Sequence, residues 1–94
     1  MIVVRNCFVA KPGQASKLAA IVHDAASALM SNHRVLTDMT GEFNRVILEY
    51  EVASVAEFET RMQEYGSNET FREKMKGYAD LYQTGSREIL KVWG

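Results

Sequence analysis

The chain has 94 residues, of which 47% are hydrophobic, and its 11 lysine and arginine residues nearly balance its 12 aspartate and glutamate residues, giving a net charge of −1. A chain of this size forms one domain, expected to span residues 1–94, whose core hides only about two-thirds of the surface that the unfolded chain exposes. The balanced charge, with no basic stripe, argues against a nucleic-acid surface, and no apolar run approaches the roughly 20 residues that a membrane span needs.

The chain carries a single cysteine, Cys7, and therefore cannot form an internal disulfide bond. Its first segment, MIVVRNCFV, is too short and too charged to form a secretory signal peptide. We therefore expect a cytoplasmic protein with neither a membrane nor a nucleic-acid partner.

The start of the chain has the pattern of a strand followed by a helix. Residues 2–9 are apolar and rich in β-branched side chains, which predicts a strand, and Lys11-Pro12-Gly13 after it matches a type II turn. Apolar residues then recur at helical spacing, which predicts an amphipathic helix over residues 14–30. Its apolar stripe consists of Leu18, Ile21, Val22, Ala25 and Leu29.

Two further strands are predicted in the middle of the chain, over residues 34–39 and 43–52, with Thr40-Gly41-Glu42 as a link of hairpin length. Ser54 and Glu57 then have the spacing of a capping box. In this motif the serine side chain accepts a hydrogen bond from the glutamate backbone, and the glutamate side chain reaches back. The pattern predicts that a helix begins at this point.

The last part of the chain is predicted to be helical and then extended. Gly66 is expected to break the first helix, and Asn68 to cap a second one. Large apolar side chains then repeat at intervals of three and four residues, which predicts that this helix continues to Gly85. The repeating residues are Phe71, Met75, Tyr78 and Tyr82. Residues 87–93 form the last predicted strand.

The predicted order β-α-β-β-α-β is that of the α+β ferredoxin-like fold. Such a chain forms a four-stranded antiparallel sheet, and its right-handed crossovers place the helices on one face of that sheet. A helix of ~16 residues spans about 24 Å and a strand of ~8 residues about 26 Å, so each helix covers the length of the sheet.

The other sheet face is left bare by this arrangement. Alternation along the strands places apolar and charged side chains on it, over an area on the order of 500 Å², which is large for a monomer. We therefore expect an interface, with charges of opposite sign pairing across the contact; a monomer with an unusually apolar back is the alternative. The predicted interface residues are Val3, Arg5, Cys7, Phe43, Arg45, Ile47, Glu49, Ile89, Lys91 and Trp93.

Three segments carry a resemblance to a known family. They are the end of the first strand, FVAKPG at residues 8–13, the helix start at residues 54–58, and the closing stretch YQTGSREIL at residues 82–90. In their order and spacing they resemble the dimeric α+β barrel superfamily, especially its NIPSNAP-like members, whose frame the antibiotic-biosynthesis monooxygenases share.

The resemblance implies a homodimer in which two sheets pack back to back as a barrel, with ligands held between sheet and helices in each subunit. In the heme-degrading members an asparagine on the first strand shapes this pocket, and Asn6 stands at the matching distance before Gly13. Met75 stands where those enzymes have their heme-binding histidine, so no cofactor is expected. The NIPSNAP-like pattern of Glu, Arg and Tyr on the first strand is replaced by Val4, Asn6 and Phe8.

Candidate site residues follow from the predicted helix side of the sheet. Asn6 must find a partner there, since an unpaired buried amide costs about 1 to 3 kcal/mol; a ligand oxygen, Tyr50, Tyr78 or a water would each serve. Asn6 and Tyr78 are therefore candidate catalytic residues. Asp38, near the end of the second strand, is a candidate base if it is buried beside the pocket, and a solvated strand-end carboxylate otherwise. The candidate ligand-binding residues, which would equally suit a packed core, are Phe8, Tyr50, Phe58, Met62, Phe71, Met75 and Tyr82.

Two other residue types offer little for chemistry. Cys7 faces the predicted interface, and the sequence places no base near it, which favours packing over nucleophilic catalysis. His23 and His33 have no second ligand at metal-binding spacing, so no metal site is expected.

Two hypotheses of different class remain. In the first, a homodimer binds a small apolar or aromatic molecule in a helix–sheet pocket and, if it is an enzyme, acts as a cofactor-independent monooxygenase. In the second, the dimer is structural or regulatory and has no pocket. A cavity beside Asn6 would favour the first hypothesis, and a filled layer the second.

Overall fold

A computed structural model describes residues 1–94 of the protein. Four strands, three helices and one short 3-10 turn follow one another along the chain. Their bounds are β1 Ile2–Ala10, α1 Ala15–Leu29, β2 His33–Thr37, β3 Arg45–Val52, α2 Val55–Ser67, α3 Glu69–Lys74, the 3-10 turn Tyr78–Asp80, and β4 Tyr82–Lys91. No helix of the chain combines the length and the apolarity that crossing a lipid bilayer requires.

The strands form one antiparallel sheet in the order β2-β3-β1-β4. β1 pairs with β3 on one side and with β4 on the other, while β2 pairs only with β3. The helices pack on one face, where the buried residues form a single cluster. The predicted α+β ferredoxin-like fold is confirmed.

The core lies between α1 and the central strands. Leu18, Val22, Ala25 and Ala26 face the sheet and are at most 1% exposed, because they recur at the spacing that keeps one helix face towards the strands. Ile21, predicted for the same stripe, is only partly buried. The central strands contribute the core residues Val4, Ala10, Val46, Leu48, Tyr50 and Val52.

The predicted turn and caps form as expected. Gly13 has a φ of +79°, and the Gln14 backbone N–H donates to the Lys11 carbonyl at 2.9 Å, as in a type II turn. The Ser54 hydroxyl accepts from the Glu57 backbone N–H at 3.2 Å. The Glu57 carboxylate in turn accepts from the Ala53 N–H at 2.6 Å, one residue earlier than in the usual capping box.

α3 is much shorter than predicted. Asn68 caps it as expected, through a 2.9 Å hydrogen bond from the Phe71 N–H, but the helix ends at Lys74. Gly77, at a φ of +88°, then turns the chain, and Tyr82 already belongs to β4. The spacing of large side chains at three and four residues was misleading, because a short helix and a 3-10 turn together produce the same repeat.

β4 presents its side chains to the faces opposite to those predicted. It pairs Arg87 with Asn6 and Ile89 with Val4, and directly opposed residues of antiparallel strands project to the same face. Arg87, Ile89 and Lys91 therefore lie on the helix side, and the predicted placement of Ile89 and Lys91 on the bare face is wrong. β4 is an edge strand exposed along nearly its whole length, so its pattern of apolar residues does not reveal its orientation.

Two other predicted interface residues lie outside the strands. Trp93 follows β4 and is 93% exposed, and Phe43 precedes β3 in the turn, where it is 86% exposed. This turn is longer than predicted, since β2 ends at Thr37 and β3 begins at Arg45. The apolar residues that the observed register places on the bare face are Val3, Cys7, Val9, Leu36, Ile47 and Leu90.

Three arginines of the bare face pair with carboxylates of the same chain. Glu49 lies between Arg5, whose Nε is 3.0 Å from it, and Arg34, whose terminal nitrogen is 2.8 Å away. The hydrogen bond from Arg34 lowers the pKa of Glu49, and the carboxylate is only 9% exposed. Arg45 Nε lies 3.5 Å from the Asp38 carboxylate, an ion pair in which these two atoms make no hydrogen bond. Arg5 and Glu49 thus pair within the chain, and their predicted pairing across a dimer contact stays a prediction.

The core predicts a stability difference between two neighbouring positions on α1. Leu18→Ala is expected to lower the free energy of unfolding by about 2 to 5 kcal/mol, because it opens a cavity at a fully buried site. Lys17→Ala, one residue earlier and exposed, is expected to change it by at most about 0.5 kcal/mol. Urea unfolding followed by circular dichroism measures both, and equal losses would contradict this account of the core.

Candidate functional site

A cavity of about 790 Å³ lies between the sheet and the second helical region. Its walls come from β1, β3 and β4 below and from α2, α3 and the 3-10 turn above. The volume is within the range of roughly 300 to 1,000 Å³ typical of small-molecule pockets. The cavity exists because α3 ends at Lys74 and no long helix lies over β4.

Two groups of aromatic rings form the apolar walls. In the first, Phe8 meets Tyr82 edge to face at 5.2 Å between ring centroids, and Tyr78 stacks on Tyr82 at 5.7 Å. Such offset and perpendicular contacts fix the rings relative to each other. This wall joins β1, the 3-10 turn and the first residue of β4.

The second group of rings closes the other side of the cavity. Tyr65 of α2 stacks on Phe71 of α3 at 5.5 Å and meets Tyr50 of β3 edge to face at 6.3 Å. Met62 and Met75 complete the apolar lining. The thioether side chains adapt in shape, so the cavity combines rigid rings with soft filling groups.

Asn6 carries the first polar group of the cavity. Its amide oxygen accepts a hydrogen bond of 2.7 Å from the Nε–H of Arg87, the residue paired with it across β1 and β4. The partner of this amide oxygen is thus the side chain of Arg87. The amide nitrogen makes no hydrogen bond within the chain and remains a donor towards the cavity.

Tyr50 carries the second polar group. Its hydroxyl donates only to the Met62 sulfur, at 4.0 Å, and a thioether is a weak acceptor. Burial raises the pKa of Tyr50 to about 12. The hydroxyl is therefore a neutral group at ordinary pH, and it remains free to donate to a stronger acceptor.

Arg87 carries the third polar group, and two contacts hold it. Besides the bond to Asn6, its guanidinium carbon lies 5.7 Å from the centroid of the Phe58 ring, a cation–π distance. Phe58 itself is not part of the cavity wall, so its predicted place in the lining was wrong. It contacts the arginine and not the interior of the cavity.

Asp38 lies outside this site. It follows β2, and its carboxylate accepts a 3.0 Å hydrogen bond from the Arg45 backbone N–H in addition to the ion pair with the same residue. The prediction of Asp38 as a base beside the pocket is therefore wrong. Through these two contacts with Arg45, Asp38 closes the turn between β2 and β3.

Cys7 lies on the sheet face away from the cavity, opposite Ser86 and Ile47. Burial raises the pKa of its thiol, which leaves it protonated and weakly nucleophilic. This partly buried, protonated thiol fits a packing role and not a nucleophilic one. No group of three or more His, Cys, Asp or Glu side chains comes close enough together to hold a metal ion.

The structure brings together eight of the residues that the sequence singled out for this site. They are Asn6, Phe8, Tyr50, Met62, Phe71, Met75, Tyr78 and Tyr82. Sequence reasoning missed Tyr65 and three cations, Arg72, Lys76 and Arg87, that also line the cavity. The unpaired amide of Asn6 was the available signal for Arg87, but it required the correct register of β4.

The buried hydroxyl of Tyr50 predicts a late step in alkaline titration. Its pKa in the folded chain is about 12 against an ordinary value of 10.0, so the folded state disfavours the tyrosinate. The stability due to this group is complete below pH 10 and is lost as the pH rises towards 12. Tyrosinate absorbance should show this late step, and Tyr50→Phe should reduce its amplitude, leaving the delayed ionisation of Tyr65, whose pKa burial also raises. An unchanged titration curve in Tyr50→Phe would contradict the assignment.

No family profile and no curated protein matches the sequence. Solved structures do match. An uncharacterized NIPSNAP domain protein from Burkholderia xenovorans superposes with a TM-score of 0.84 at 11% sequence identity, covering 99% of this chain and 95% of that one. A NIPSNAP family protein from Agrobacterium tumefaciens superposes with a TM-score of 0.84 at 15% identity, covering 96% of this chain and 90% of that one.

A third similar structure is described as an antibiotic biosynthesis monooxygenase. It has a TM-score of 0.74 and 11% identity, and each chain is covered completely. At these identities the likeness concerns the backbone arrangement and not the chemistry of the side chains. The chain has the α+β fold found in NIPSNAP proteins and in this monooxygenase, as the resemblance seen in the sequence predicts.

Proposed function

We propose that the protein is a homodimer that binds a small aromatic molecule in the cavity between its sheet and its second helical region. The observation that carries the proposal is the cavity of about 790 Å³ with aromatic walls. Asn6, Tyr50 and Arg87 add a small number of placed polar groups to an apolar lining. This composition is the usual one for a small-molecule site.

The alternative, a structural or regulatory dimer with no pocket, requires side chains to fill the helix–sheet layer. The cavity beside Asn6 opposes that requirement. The cavity opens to solvent, and leaving its apolar walls against water is unfavourable. An open volume of this size therefore supports a binding role.

Oxygenation of the bound molecule is a second candidate function. Asn6 and Tyr50 each offer a hydrogen-bond donor that could stabilise negative charge on a substrate oxygen. A substrate CH2 group acidic enough to lose a proton to water would form a carbanion whose electron pair reduces molecular oxygen, forming a C–O bond. The protonated hydroperoxide would then break its O–O bond and lose water, which leaves a carbonyl on the substrate. The fold shared with a monooxygenase is a reason to test this activity. Oxygen consumption in the presence of activated aromatic substrates would measure it.

Dimerisation is proposed from the bare sheet face. Six apolar side chains project from a face that no element of the same chain covers, and Leu36 and Leu90 extend it to both edge strands. Since Glu49 is neutralised by its own arginines, the contact would be mainly apolar. A second copy of the chain offers the same surface and satisfies it by two-fold symmetry.

A cavity-filling variant tests ligand binding. Gly85 lies opposite Phe8, and a Cβ placed there would meet no atom closer than 3.6 Å, so Gly85→Val fits the strand while its methyl groups fill the cavity. The affinity for the neutral fluorescent probe N-phenylnaphthylamine is expected to fall about tenfold or more. Fluorescence titration measures this change.

The matched control for this test is Thr84→Val, one residue earlier on the same strand. It introduces the same side chain on the opposite face, where the partner residue is Val9. Probe affinity should be unchanged in this variant. Equal affinities of Gly85→Val and the original chain, with both proteins folded, would show that the probe does not occupy the cavity.

Light scattering tests the dimer. The expected mass is twice the chain mass of 10.6 kDa, and Ile47→Asp should reduce it to the monomer because a charge would be buried in the contact. Leu36→Asp on β2 provides a second disruptive variant. Val55→Asp, on an exposed position of α2, should leave the dimer intact. A monomer at micromolar concentration would refute the dimer.

A further inference from the structure

The ionisable side chains at the cavity, apart from tyrosines, are all cationic. Arg72, Lys76 and Arg87 contribute to its wall, and no aspartate or glutamate does. The four arginines outside the cavity have carboxylates for partners. Arg5 and Arg34 bind Glu49. Arg45 pairs with Asp38, and Arg61 with Glu57. The cavity therefore concentrates positive charge in a chain whose net charge is −1.

Arg87 is the best placed of the three cations. Its Nε–H is bound to Asn6, and its guanidinium lies over the Phe58 ring, so both contacts restrict its orientation. No carboxylate of the chain lies within ion-pair distance of it. Its two terminal nitrogens are left as donors, in the planar fork that binds oxyanions at two points.

An aromatic ligand entering this cavity would meet rings along its body and Arg87 at one end. The nearby Tyr50 hydroxyl, which has only a sulfur acceptor, adds a neutral donor to the same wall. We propose that the ligand is an aromatic acid, with its oxyanion bound by Arg87 and its rings held between the two aromatic groups. This inference rests on the proposed binding function and specifies the chemical class of the ligand.

Asn6 has a positioning role in this site. By accepting the Nε–H it fixes the guanidinium against β1, and the opposing register of Asn6 and Arg87 makes the contact possible. Arg72, Lys76 and Arg87 are all exposed, but only Arg87 is held by side-chain contacts, so the other two contribute a favourable field at the edge of the cavity and not a fixed contact. The main discrimination between acidic and neutral ligands should therefore come from Arg87.

A pair of probes with one aromatic skeleton tests the proposal. Anilinonaphthalene sulfonate carries an anionic group, and N-phenylnaphthylamine lacks it. Arg87→Gln is expected to weaken the anionic probe about tenfold or more, as loss of a charged hydrogen bond does, while changing the neutral probe by less than about twofold. Asn6→Ala should likewise weaken the anionic probe more than the neutral probe, whereas a merely structural role would weaken both probes equally.

Lys17→Gln is the matched control, because it removes one positive charge from an exposed position on α1, away from the cavity. It should leave the ratio of the two affinities unchanged. Equal effects of Arg87→Gln on both probes would overturn the acidic ligand and leave the binding function standing. Failure of both probes to bind the original chain would overturn the binding function and this inference together.

Discussion

The pairing of β1 on both of its sides is the constraint on which the rest of the structure depends. Its backbone groups bind β3 along one edge and β4 along the other, so the register of this strand fixes which side chains of all three strands share a face. Val4 enters the core because of this register, and Asn6 meets Arg87. A shift of one residue would exchange the cavity wall with the bare face.

Much of the fold could be predicted because its signals are local. The type II turn at Pro12-Gly13, the capping pattern at Ser54 and the helical period of α1 depend on neighbouring residues alone, and each is present in the structure. The orientation of β4 depends on pairing with a strand about eighty residues away. Because this edge strand is exposed on both faces, hydrophobic alternation could not supply the missing information.

The difference between local and long-range signals also explains which parts of the candidate site could be predicted from the sequence. The aromatic lining could be listed from sequence, since large apolar residues facing the helices either fill a core or surround a cavity. Which of these occurs depends on where the helical layer stops, and the turn at Gly77 ends it early. The sequence predicts that the Asn6 amide needs a partner, but only the register of β4 against β1 identifies Arg87 as that partner.

The fully buried side chains and the cavity occupy different parts of this fold. The fully buried side chains Val4, Leu18, Val22 and Val46 belong to α1 and the central strands, whereas the cavity is bounded largely by β4, α3 and the 3-10 turn. None of these four side chains lines the cavity, although Leu48, Tyr50 and Tyr65 belong both to the core and to the cavity wall. Side chains of β4 and the 3-10 turn can therefore change with little effect on the four that hold the backbone together, which agrees with structures that keep this backbone at identities of only 11% to 15%.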